Sequence, residues 1–102
     1  MFPFAKLLGA LSLAFALAVS TAQAYTGQHL AKEAKVSIAD ARAIALKAQP
    51  GHIMGEELKK EVGGSGLRYS FDIENGTTTY EVGVDAQTGA ILANAPEGKK
   101  PH

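Results

Sequence analysis

Two runs of alternating side chains joined by Asn75-Gly76 constrain this chain more than any other feature in it. Leu67, Tyr69, Phe71 and Ile73 alternate with Arg68, Ser70, Asp72 and Glu74. Thr78, Tyr80, Val82 and Val84 alternate with Thr79, Glu81, Gly83 and Asp85. A period of two puts the apolar members of each run on one face of a pleated strand. Asn-Gly between such runs is a strong hairpin signal, because both residues tolerate the positive φ of a type I′ turn. A turn at Asn75 and Gly76 sets Glu74 opposite Thr77, Phe71 opposite Tyr80, Tyr69 opposite Val82 and Leu67 opposite Val84. Each apolar residue then meets another. A slip of one residue would instead set Phe71 against Glu81 or Thr79.

An apolar sheet face needs a cover, and the segment upstream supplies a helix. Ile38, Ala41, Ile44, Ala45 and Ala48 recur at helical spacing, with Asp40, Ala43 and Lys47 opposite and Leu46 to one side. Ser37 stands at the N-cap position, and Asp40 three residues on answers it in a near-match to a capping box. Pro50-Gly51 ends the helix. Downstream, Asp85-Ala86-Gln87-Thr88-Gly89 reads as a turn in which Asp85 and Thr88 bond the loop backbone and Gly89 takes a left-handed conformation. A last strand over 90–95 follows, with Asp85 opposite Ala90, Val84 opposite Ile91 and Val82 opposite Ala93. Residues 52–62 form a weaker strand, in which Met54, Leu58 and Val62 share parity but Glu56 and Lys60 interrupt them. Such a charged strand suits a sheet edge. Gly63-Gly64-Ser65-Gly66 connects it to the hairpin. The pattern predicts an α+β domain: one N-terminal helix on a four-stranded antiparallel meander.

The chain has 102 residues, and its start reads differently from the rest. Lys6, an uncharged apolar run over 7–19 and a small-x-small ending at Ala22-Gln23-Ala24 make a secretory signal peptide, with cleavage expected after Ala24. The run is too short for a permanent span. The expected organisation is a signal over 1–24, a lead-in over 25–35 that is flexible or a frayed helical turn, a domain over 36–95 and a disordered tail over 96–102. That places the protein in a periplasm or outside the cell, with membrane contact only through the signal before cleavage. Lys+Arg and Asp+Glu both total 10, so no electrostatic case exists for nucleic acid or an anionic membrane surface. With no cysteine, disulfides, thiol nucleophiles and cysteine-based metal sites are excluded.

Candidate chemistry is sparse. His29, His52 and His102 are scattered without ligand spacing, so no metal or other cofactor is expected. Ser37 is accounted for as a cap, Ser65 as loop filler and Ser70 as an outward strand residue, which leaves no nucleophile beside a base. Gly63-Gly64-Ser65-Gly66 lacks the lysine and following helix of a phosphate loop. The reading is therefore not an enzyme. Two surfaces suit a partner protein. One is the charged edge of Glu56, Glu57 and Glu61 with Lys59 and Lys60, where a partner can add a strand. The other is the face opposite the helix, formed by Arg68, Ser70, Asp72, Thr79 and Glu81. Ser37, Asp40, Asn75, Gly76, Asp85, Thr88 and Gly89 are read as structural.

These pieces resemble a PepSY domain. The resemblance is carried by Val36-Ser37-Ile38-Ala39-Asp40-Ala41 with Ile44-Ala45-Leu46, then Pro50-Gly51, Glu56-Glu57-Leu58 and Tyr69-Ser70-Phe71-Asp72-Ile73. The run Tyr80-Glu81-Val82-Gly83-Val84-Asp85-Ala86-Gln87-Thr88-Gly89 and Ile91-Leu92 complete it. PepSY domains occur in propeptides of thermolysin-type metalloproteases and as short exported bacterial proteins. The resemblance implies a cystatin-like fold and a non-catalytic module that inhibits or chaperones a peptidase, or engages another envelope protein, as a monomer. The alternative is a small-ligand-binding or envelope-sensing domain, which an apolar cavity between helix and sheet would favour.

Overall fold

The computed structural model describes residues 24–98, so the signal reading over 1–23 and the last four residues of the tail lie outside the described residues. A 3₁₀ helix, Gln28–Glu33, opens the fold, followed by α1 (Ile38–Ala48), β1 (His52–Lys60), β2 (Leu67–Asn75), β3 (Thr78–Asp85) and β4 (Ile91–Pro96). The strands form one antiparallel sheet in the order β1-β2-β3-β4, and α1 lies across β2, β3 and β4.

Local chemistry sets α1. The Ser37 hydroxyl accepts from the Asp40 N–H at 3.0 Å, satisfying one of the donors left free at a helix start. Ala41 and Ala45, without side-chain bulk, bring the helix close to the sheet and are fully buried with Leu58, Leu67, Tyr69, Phe71, Ile73, Val82, Val84 and Ala86. Ile38, Ile44 and Leu46 pack at the margin of this cluster, while Ala48, expected on the apolar face, is exposed. The Tyr69 hydroxyl donates to the Val36 carbonyl at 2.6 Å and ties the start of the helix to the sheet.

The hairpin faces match the alternation, but its turn sits one residue further on. Asn75 pairs with Thr78, leaving Gly76 and Thr77 as the two turn residues, so Phe71 opposes Val82, Tyr69 opposes Val84 and Ile73 opposes Tyr80. Gly76 takes φ 68° at the first central position, where a two-residue hairpin requires positive φ. The Asn75 side chain donates instead to the Pro50 carbonyl at 2.9 Å, fastening the hairpin tip to the end of the helix.

Two bulges also alter the expected register. In β1 the pairing jumps between Ile53 and Gly55, so Met54 is the extra residue. The strand ends at Lys60 rather than 62. Parity therefore reverses: Ile53 and Leu58 face the core, Met54 is 59% exposed and Val62 lies beyond the strand at 95% exposed. In β4, Val84 meets Ile91 as expected, but a second bulge sets Gly83 opposite Ala93 and Val82 opposite Asn94. Pro96, placed in the tail by its sequence, closes β4 opposite Tyr80, and the Glu97 N–H donates to the Thr79 carbonyl at 2.8 Å.

The segment before α1 is held against the domain, with the 3₁₀ helix Gln28–Glu33 in its middle. Thr26 bridges Glu57 in parallel, and its carbonyl accepts from the Leu58 N–H at 2.8 Å. Tyr25, Leu30 and Ala31 pack on the core. Glu33 meets Lys60 at 3.6 Å, and its carbonyl accepts from the Gln87 amide at 2.7 Å. The segment is a strap across the outer edge of β1. Gly27 allows it, because φ is 84° there and a Cβ would overlap the Leu58 carbonyl oxygen. Gly27→Val is therefore expected to undock the strap at a cost of about 1–2 kcal/mol. Hydrogen exchange checks this: the Leu58 amide should lose protection while Phe71 and Val82 keep theirs.

Candidate functional site

The face of the sheet away from α1 carries the even-numbered residues of β2 and the odd-numbered residues of β3. Cross-strand pairing arranges them in rows. Glu57, Ser70, Gly83 and Ala93 form one row, and Gly55, Asp72, Glu81 and Ala95 form the next. A shallow polar depression of about 280 Å³ lies here, lined by Thr26, Gly55, Glu56, Glu57, Lys59, Ser70, Asp72 and Glu81.

The charges on this face are unevenly compensated. Lys59 meets Glu61 at 3.1 Å, and Arg68 meets the same carboxylate at 3.8 Å. The hydrogen bond between them raises the Lys59 pKa and lowers that of Glu61. Arg68 lies flat over Gly83, where a Cβ would stand 3.1 Å from its Nη1. Arg68 is held at one end of the face, while Lys59 lines the depression and also interacts with the Glu57 and Glu81 carboxylates. At the other end Asp72 and Glu81 stand directly opposite each other, and Ser70 donates to Glu81 at 3.1 Å. Like charges in a direct cross-strand pair destabilise a sheet, and here Ser70 and Lys59 are the groups that interact with Glu81.

The sequence-derived candidates divide by position. Glu57, Arg68, Ser70, Asp72, Thr79 and Glu81 share the open face. Glu56 does not. It pairs with Phe71 on the helix side, where both carboxylate oxygens accept from Arg42, Oε1 at 3.0 Å from Nη2 and Oε2 from Nε. That bidentate pair raises the Arg42 pKa and clamps α1 to β1. Glu61 is the counter-ion of Lys59 and Arg68 just past the strand. The β1 edge itself is taken opposite Leu58, where Thr26 already makes the bond an added strand would make. Among the described residues no group of His, Cys, Asp or Glu is placed to hold a metal ion, and no helix is long and apolar enough to cross a membrane.

The sequence model of the family described as the peptidase propeptide and YPEB domain, PepSY, matches residues 35–94, more than half of the chain. The chain belongs to the PepSY family. No curated protein and no solved structure matches it. A PepSY domain is a propeptide-type, non-catalytic module, and this one spans α1 and all but the end of the sheet. The strap over 24–34 lies outside the matched residues.

One cluster in the PepSY domain escaped sequence reasoning. Ser65, read as loop filler, donates its N–H to Asp85 at 2.7 Å and its hydroxyl at 2.8 Å. Asp85 also accepts from the Gln87 N–H at 2.8 Å and the Thr88 N–H at 3.2 Å, as its turn motif implied. Asp85 is only 2% exposed. Burial pushes its pKa up, but the bonds from Gln87, Ser65 and Thr88 outweigh burial and hold it down at about 2. It joins the loop before β2 to the turn after β3. The signal for Ser65 was the serine itself among three glycines, the one polar side chain in that connector.

Proposed function

We propose that this protein is an exported, monomeric PepSY module that binds a peptidase outside the cytoplasm and inhibits or chaperones it, through the open face of its sheet. The observation that carries the reading is the carboxylate cluster of Glu57, Asp72 and Glu81, with Asp72 and Glu81 in direct like-charge cross-strand contact and Lys59 as the cation beside them, on a face that none of the described elements covers. Family membership supports the peptidase as the class of partner. Glu57, Asp72 and Glu81 offer carboxylates to a basic patch, Thr79 offers a hydroxyl, Ser70 is buried and holds Glu81 in place, and Arg68 with Glu61 forms the rim. Glu56 belongs to the scaffold in this reading.

The reading makes an unusual pair of demands on Asp72→Lys. Placing a cation opposite Glu81 should stabilise the domain by about 0.5 kcal/mol. The same substitution should weaken capture of an envelope peptidase by the exported protein at least about tenfold, as expected where a partner's charge meets a reversed one. Thermal unfolding and quantitative pull-down from an envelope extract measure the two effects. Capture unchanged in the stabilised variant would remove the open face from the interface.

A further inference from the structure

We propose that the loop from Glu61 to Gly66 is a preorganised docking loop that inserts the Val62 side chain into an apolar specificity pocket of the peptidase; this rests on the peptidase reading above. Val62 is 95% exposed, more than any other large apolar side chain among the described residues. A single exposed apolar residue is ordinary on a protein surface. What distinguishes Val62 is how firmly the chain around it is held while the side chain stands almost wholly in solvent.

The loop is fastened from three directions. At its neck the Glu61 N–H donates to the Gly66 carbonyl at 3.1 Å, and within it the Gly66 N–H donates to Gly63 at 3.0 Å. From the sheet, Arg68 Nη2 donates to the Val62 carbonyl at 3.3 Å. From beneath, Asp85 grips Ser65 by its N–H and its hydroxyl. Gly64, at φ 55°, lies against that carboxylate where a Cβ would collide with it.

Rigidity of this kind raises affinity, because a segment already in its bound shape loses little freedom on docking. The surroundings of Val62 fit insertion as well. Gly63 and Gly64 follow it without side chains, so a pocket rim can approach the backbone. Glu61 before it is neutralised by Lys59 and Arg68. Those two cations also connect the loop to the open face, so a pocket that takes Val62 lies beside the polar surface proposed for the same partner. The chemistry asked of the partner is a pocket sized for a branched aliphatic side chain. Peptidases that select such residues possess one.

Thermolysin serves as the probe, with the exported protein titrated against it and binding and inhibition both measured. Val62→Asp should lower affinity at least about tenfold without shifting the thermal midpoint, since the side chain is almost wholly in solvent. Val62→Leu should retain binding. Ser65→Gly, which leaves Val62 in place but frees the loop from Asp85, should weaken binding with a smaller effect. Equal affinity of wild type and Val62→Asp would overturn the docking loop while leaving the peptidase reading intact. Absence of binding by the wild type would overturn the insertion of Val62 into a pocket of this kind, whereas the peptidase reading stands or falls with the pull-down from an envelope extract.

Discussion

Asp85→Asn is expected to destabilise the domain by about 3 kcal/mol, because four donors aimed at a buried carboxylate would face an amide that accepts through one oxygen only. For a domain of this size that corresponds to a fall in thermal midpoint on the order of 15 °C. The same substitution should change the acid dependence of stability. The unfolded Asp85 carboxyl titrates at 3.8 and the folded one at about 2, so its contribution is complete above the unfolded value and is lost as pH falls from about 4 towards 2. The slope follows from proton counting: in that window the unfolded state binds the proton first and is favoured by it. Urea unfolding across this range should show the wild type losing the contribution, whereas the asparagine variant lacks that component. Equal slopes in the two proteins would mean that Asp85 does not anchor Ser65 and the Gln87–Thr88 turn as described.

The features legible in the sequence were those carried by local period and local chemistry. Alternation over 67–73 and 78–84 assigned every side chain of the hairpin to its proper face, and Ser37 and Asp40 marked the start of α1. The turn was misplaced for a physical reason. Moving it from Asn75-Gly76 to Gly76-Thr77 shifts Phe71 from Tyr80 to Val82, an even step that keeps every apolar pair on one face, so patterning alone does not choose between them. What decides is that the first central residue must take positive φ, which Gly76 does, while Asn75 is drawn off to Pro50. The bulges at Met54 and in β4 are properties of strand pairs and leave no trace in one strand's own sequence. On the candidate site, parity alone puts Arg68, Ser70, Asp72, Thr79 and Glu81 on one face of the sheet. Glu56 and Glu57 were grouped by charge, although neighbours in a strand point to opposite faces and strand geometry already separated them. Ser65 and the strap depend on contacts distant in sequence: a lone serine among glycines marks the position but not its partner Asp85.

Phe71→Ala is expected to cost about 4 kcal/mol, as large-to-small changes at fully buried aromatic positions do. Phe71 has no exposure, and its ring stacks on Tyr69 with centroids 6.3 Å apart. Its buried cluster includes Ala41 and Ala45, which already bring the helix close and leave little room for collapse into the space. A domain this small holds on the order of 5–10 kcal/mol in all, so the variant should populate unfolded chain well below the wild-type midpoint. The substitution also separates the peptidase reading from the alternative of a small apolar ligand between helix and sheet. A ligand-binding domain needs vacant apolar volume in its native state, and here the place for it is filled by Phe71, Val82, Ala41 and Ala45, all fully buried. Wild type is therefore expected to leave the fluorescence of an apolar dye unchanged, while the folded fraction of Phe71→Ala, stabilised by osmolyte, should take the dye into the space vacated by the ring. Stoichiometric dye binding by the wild type would reverse the argument, because a cluster that opens for a dye without mutation is one that opens for a ligand.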